Sequence, residues 1–169
     1  GLNTYGTAIL VNILNEAGAL PTRNFREGRF EGAAKISGEA MAEYCKARGG
    51  VGRMGHPCHP GCVIQCSNVI PNPDGSELVS VIEYETAWAF GANCGIDNLD
   101  VIGKLTWMCN DIGLDTIEAG GTIAVAMEAG LAKFGDEKRA IELIEEIGKG
   151  TPLGYILGQG AATTGKVFG

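Results

Sequence analysis

The sequence predicts a mainly α, multihelical domain with at most one short β-hairpin. Three observations carry that expectation. Apolar residues recur at helical spacing in most of the chain, those segments begin at capping residues and stop at glycine, and a single strong turn, Pro71-Asn72-Pro73-Asp74-Gly75, has strand-like flanks.

Taken in order, Thr4 is placed to cap a helix over Tyr5–Ala17, with Ala8, Leu10, Val11 and Leu14 as its apolar face and Gly18 as its stop. The polar stretch Pro21 to Gly28 keeps no period, and its Arg23, Asn24 and Arg26 suit either a solvated loop or one facing another domain or an anionic cofactor. Ser37 starts a helix to about Arg48, ended by Gly49-Gly50, with Cys45 as a small core residue. The flanks Val63–Ile70 and Glu77–Ile82 form the one expected hairpin.

From Glu83 the pattern is helical. A short helix over Glu83–Phe90 closes at Gly91. Asp97 is placed to cap the next helix, to about Ile112, in which Leu99, Ile102, Leu105 and Trp107 or Met108 recur, with Gly113 beyond its end. Thr116–Lys133 follows, where Gly120 and Gly121 permit close packing or mark a kink. Asp136 caps Glu137–Ile147, and Thr151-Pro152 opens a last short helix to about Gln159.

The 169 residues suit one domain with a sizeable core. A net charge of −7 with no basic stripe argues against nucleic acid as a partner, and no apolar run is long enough to span a bilayer. The expected setting is cytoplasmic. Six cysteines are too sparse for a small disulfide scaffold, so clustered thiols in a reducing compartment point to metal.

Chemistry concentrates between Met54 and Ser67. Cys58, Cys62 and Cys66 are spaced four residues apart among Gly55, Pro57, Pro60 and Gly61, and the chain's two histidines, His56 and His59, lie in the same window. A [4Fe–4S] cubane takes thiolate ligands of which three come from a tight run and one from afar. The fourth could be Cys94, Cys109 or a donor outside the chain. Zinc is the alternative, since His56 or His59 would complete a Cys₃His set. Further on, Glu83 and Glu85 flank Tyr84, fitting either a solvated helix start or one carboxylate entering a site. Asn110-Asp111-Ile112-Gly113-Leu114-Asp115 is a helix end followed by a cap, a geometry that can offer Asp115 and a backbone amide to a ligand.

The cysteine loop, Glu83-Tyr84-Glu85, Asn93-Cys94-Gly95-Ile96-Asp97, Asn110 to Ile117 and the stretch Asn12 to Phe25 together resemble the middle, helical domain of the tungsten-containing aldehyde:ferredoxin oxidoreductases. The resemblance implies that the chain is a fragment of a larger enzyme that oxidises aldehydes to carboxylic acids. Its cofactors would be a tungsten (or molybdenum) bis-pterin and a [4Fe–4S] cluster, with electrons leaving to ferredoxin or an iron–sulfur subunit.

By the same resemblance, Cys58, Cys62 and Cys66 are cluster ligands, and the fourth comes from a Gly-Leu-Cys motif in the next domain, which argues against Cys94 and Cys109. Leu114, Asp115 and Asn110 correspond to pterin-contacting positions, and Glu85, or Glu83, to a group that orients substrate or moves a proton. The loop departs from the family's commoner C-x₂-C-x₃-C spacing, because His59 stands where the first cysteine would fall. The isolated domain is expected to be inactive, with its loop mobile or its cysteines empty. A zinc-stabilised interaction module and a cluster-carrying electron-transfer protein without pterin are the competing readings.

Overall fold

A computed structural model describes all residues, Gly1–Gly169. The chain forms nine α-helices and one three-stranded antiparallel sheet: α1 Leu2–Tyr5, α2 Leu10–Ala17, α3 Gly38–Arg48, β1 Arg53–His56, β2 Ser67–Pro71, β3 Glu77–Val79, α4 Tyr84–Thr86, α5 Leu99–Ile112, α6 Thr116–Glu128, α7 Glu137–Lys149, α8 Pro152–Leu157 and α9 Ala161–Phe168. The fold is mainly α, as expected. The hairpin forms between β2 and β3, and β1 extends it on the other side of β2. Arg-Met-Gly-His lacks the β-branched and aromatic residues that mark strands, so only tertiary pairing with β2 makes it one.

The N-terminal helix is interrupted. Instead of one helix over Tyr5–Ala17, Gly6 adopts φ 65°, ψ −172° between α1 and a 3₁₀ turn at Thr7–Ile9. A Cβ at Gly6 would stand 2.6 Å from the carbonyl oxygen of Cys66, so the break lets the N-terminal segment lie against the cysteine loop. The cap of α5 also shifts by one residue. Asn98 Oδ1 accepts the Asp100 N–H at 3.1 Å, while Asp97 pairs with Lys35 Nζ at 2.6 Å. Helix α6 stops at Glu128, short of Lys133, α7 runs on to Lys149, and α8 ends at Leu157. Helix α9 was not foreseen, because Ala-Ala-Thr-Thr-Gly between glycines carries little helical periodicity.

One core of 30 buried residues runs through the whole chain, from Ala8 and Val11 to Leu143 and Leu157. Helix α5 sits in its middle and buries Leu99, Ile102, Leu105 and Met108, while Trp107 is left half-exposed. After α4 the chain continues through a π-helical turn at Ala87–Gly91 and a 3₁₀ turn at Ala92–Cys94. Helix α6 packs on this segment through Gly120, where a Cβ would stand 2.7 Å from Ala89 Cβ. Gly120 therefore marks close packing. Gly121 meets only Ala161 Cβ, at 3.9 Å.

Arg48 ties α3 to α5 by a two-pronged pair with Asp100, at 2.6 and 2.8 Å, its guanidinium lying over the Tyr44 ring. In the polar loop after α2, Arg23 binds Glu27 and Glu31, and Arg26 binds Glu128. Both guanidiniums are engaged by carboxylates of this chain.

Candidate functional site

Two clusters of chemistry-bearing residues lie on either side of Asn68. The first is the cysteine loop, between β1 and β2. Pro60 and Gly61, the latter at φ 82°, occupy the middle of a turn closed by the Cys62 N–H donating to the His59 carbonyl at 3.3 Å. Pro followed by a positive-φ Gly is the signature of a type II turn. Sγ of Cys58, Sγ of Cys62 and a ring nitrogen of His59 lie within 4.8 Å of one another, and Cys66 stands outside that trio. Backbone N–H groups of Gln65 and Ile64 point at the Cys62 sulfur and hold its pKa below the usual thiol range. Burial, then the negative charge of Glu83, pushes Cys66 the other way.

All six cysteines are free. Cys45, Cys94 and Cys109 are buried: Cys45 S–H donates to the Val69 carbonyl, and Cys94 S–H faces the carbonyls of Ala89 and Gly120. Burial raises Cys94 strongly and pushes Cys109 up to about 12. A thiol held protonated in a packed core is a poor metal ligand, whereas Cys58, Cys62 and Cys66 are at or near the surface. His56 ends β1, half-buried, and is not part of the trio.

The second cluster is a cleft of about 290 Å³. Four positions singled out in the sequence line it together: Glu83 and Glu85 from the start of α4, Asn110 from the end of α5 and Asp115 from the cap of α6. Gly113, left-handed at φ 88°, ends α5 and turns the chain so that Asn110 and Asp115 share this wall. Asp115 Oδ2 accepts the Glu118 N–H at 2.7 Å, which leaves Oδ1 available. Leu114 does not line this cleft: with Gly113, Ile147 and Leu157 it lines an adjoining hollow between α6 and α8, which shares Asp115 with the cleft, and it is partly buried against the core.

The two glutamates differ. Glu83 is half-buried, and its carboxyl is raised above the usual range, first by burial and then by the charge of Glu85. Glu85 is exposed. Thr86 and Thr116 were not singled out by sequence, yet their hydroxyls meet at 2.7 Å on the cleft wall and join α4 to α6. Nothing in their spacing signals that contact. Asn68 was likewise missed, although a buried amide just before the apolar pair Val69-Ile70 is an unusual strand residue.

The donor set on the loop fits an iron–sulfur group: three free thiols off the core, with backbone amides turned toward one sulfur. Cys66, standing apart, suits a cubane, in which each thiolate takes a different iron. The cleft fits a polar ring system, since Asn110, the free oxygen of Asp115 and the Thr116 hydroxyl converge on it.

A family description, "Aldehyde ferredoxin oxidoreductase, domains 2 & 3", matches residues 1–169. The chain is 47% identical over 128 residues to a tungsten-containing aldehyde ferredoxin oxidoreductase of Thermococcus kodakarensis, covering 76% of this chain and 20% of that protein. It is 46% identical over the same length to the Pyrococcus furiosus protein of that name, also covering 76% of this chain and 20% of that protein. To the one from Pyrococcus abyssi it is 41% identical over 184 residues, covering 99% of this chain and 29% of the relative. The chain thus spans less than a third of the length of these relatives. This chain belongs to the aldehyde ferredoxin oxidoreductase family, with its counterpart in the second and third domains.

Proposed function

We propose that the chain is one part of a larger tungsten- or molybdenum-pterin oxidoreductase that converts an aldehyde and water to a carboxylic acid, releasing two electrons and two protons. The observation that carries the reading is the convergence of Glu83, Glu85, Asn110 and Asp115 on one cleft. The relatives' names supply the substrate class and the tungsten.

Cys58, Cys62 and Cys66 would hold three corners of a [4Fe–4S] cluster, with a fourth ligand from outside this chain. Asn110 and Asp115 Oδ1 would hydrogen-bond the pterin, and Leu114 would support that wall from behind through its packing. When bound, the metal–pterin group would supply the redox and oxygen-transfer chemistry, and a cluster held by the loop cysteines would supply the electron route toward ferredoxin or an iron–sulfur partner. Glu83, whose burial favours the protonated form, would hold the proton exchanged with the substrate oxygen. Exposed Glu85 would connect it to solvent.

A second reading is favoured by one distance. Three donors within 4.8 Å are closer than thiolates on separate irons need to be and suit a single tetrahedral ion, so a zinc-stabilised module follows from the same loop. Metal analysis of the protein purified anaerobically separates the two. Iron with thiolate-to-iron absorption supports the proposal, and one zinc per chain with no iron after reconstitution overturns it. Cluster without any pterin in the intact protein would identify an electron-transfer protein instead.

A further inference from the structure

Two of the loop's thiols are placed to bond to each other as well as to a metal. Sγ of Cys58 and Sγ of Cys62 lie within 4.8 Å of one another, while Cys66 stands outside that group. His59, Pro60 and Gly61, between the pair, are bent back by the type II turn that the Cys62 N–H closes on the His59 carbonyl. A disulfide needs its sulfurs about 2.0 Å apart and its Cβ atoms about 3.5–4.5 Å apart. Both side chains can rotate at the loop surface to close that gap, Cys58 being exposed and Cys62 half-buried. The turn already holds the ends of the small ring together, so little further chain entropy is lost on closure. Cys45, Cys94 and Cys109 are buried and shielded from an oxidant.

We propose that Cys58 and Cys62 form a reversible disulfide when the loop carries no metal and meets a peroxide, and that this bond withholds two of the loop's donors until it is reduced. The inference rests on the reading that the loop holds a metal through its thiolates, and it concerns the unloaded loop only. One sulfur attacks hydrogen peroxide: an S–O bond forms, the O–O bond breaks and one water leaves. The second sulfur attacks the first: the S–S bond forms, the S–O bond breaks and a second water leaves. Two thiols give up two electrons, one peroxide takes them, and both thiol protons depart in the waters. A dithiol reverses the bond by exchange. Cys66, with no sulfur partner at that distance, remains a thiol when the oxidant is limiting.

The test uses the intact protein that contains this chain, stripped of metal by a chelator under argon and treated with limiting hydrogen peroxide. After alkylation, peptide mass spectrometry is expected to find Cys58 and Cys62 cross-linked and Cys66 alkylated, with Cys45, Cys94 and Cys109 unlabelled as the mark of an intact fold. The oxidised protein should lose metal uptake on reconstitution without thiol, and dithiothreitol should restore it. Cys66→Ser should keep the cross-link. Cys62→Ser should abolish it and leave Cys58 as a sulfenic acid that dimedone traps. Cross-links through Cys66, or oxidation to sulfenic or sulfinic acid without the Cys58–Cys62 bond, overturn the proposal, and metal uptake by the reduced protein then still upholds the loop as a metal site. Equal metal uptake by the cross-linked and reduced proteins also overturns it. A Cys58–Cys62 bond in a protein that takes up no metal after reduction overturns the metal reading, and the withholding of donors with it.

Discussion

Asn68 pairs with Ile82 as a strand neighbour would: Nδ2 donates to the Ile82 carbonyl at 2.7 Å, and Oδ1 accepts the Ile82 N–H at 2.9 Å. Asn68 follows Cys66 by two residues and Ile82 immediately precedes Glu83, so one buried amide fixes the end of the thiol loop against the start of the carboxylate segment. Tyr84 N–H donates to Thr7 Oγ1 at 3.0 Å and anchors the same segment to the N-terminal turn.

Removing that amide leaves a buried N–H and C=O without partners. Asn68→Ala should destabilise by about 2–4 kcal/mol, from two lost hydrogen bonds and the desolvated groups left behind. Denaturant titration should show a lower midpoint at unchanged slope. A loss under about 0.5 kcal/mol would mean that water replaces the amide and that the clamp is unimportant.

Glu83 has its pKa raised by the fold, so the ionised form is the one the fold disfavours. The cost is present above the folded-state pKa and is relieved as the pH falls through it. Glu83→Gln should therefore melt at the same temperature or up to roughly 3 °C higher at pH 7, and the difference should close near pH 4. A variant clearly less stable at neutral pH would show that the carboxylate makes a favourable contact in its ionised form.

Asp115 has a structural duty that must be separated from any cofactor contact. Asp115→Ala should cost about 1 kcal/mol as a lost helix cap, whereas Asp115→Asn should retain most of that stability. If the free oxygen also serves a pterin, Asp115→Asn in the intact enzyme should lower pterin content at near-normal melting temperature. Equal pterin content in both proteins would limit Asp115 to capping.

Thiol reactivity should divide the cysteines three and three. In metal-free protein under native conditions, Cys58, Cys62 and Cys66 should all be alkylated, Cys66 more slowly than Cys62 because its thiol is held protonated, while Cys45, Cys94 and Cys109 react only on unfolding. Peptide mass spectrometry reads the sites directly. Metal loading should protect the loop thiols, and rapid native labelling of Cys94 would contradict the packed core around it.

The adjacent glycines of α6 should respond in opposite directions. Gly120→Ala drives a methyl into Ala89 and should cost about 1–3 kcal/mol. Gly121→Ala meets only ordinary contact with Ala161 and should stabilise by up to about 1 kcal/mol through helix propensity. Thermal melts of the two variants check the pair.

What the sequence by itself determined is what depends on neighbours in the chain. Capping and stop residues placed α3 from Ser37, the end of α5 at Gly113 and the start of α7 at Asp136, because those signals act within one helical turn. Cysteine spacing and the Asn110 to Asp115 motif likewise marked both clusters, since ligand loops and helix ends are short-range features. The tertiary structure alone decided what depends on distant groups: the break at Gly6 against the Cys66 carbonyl, β1 as a strand, the Asn68–Ile82 clamp and the Thr86–Thr116 contact. It also distinguished Glu83 from Glu85, for the two are neighbours in sequence, and only the fold half-buries Glu83 while leaving Glu85 exposed.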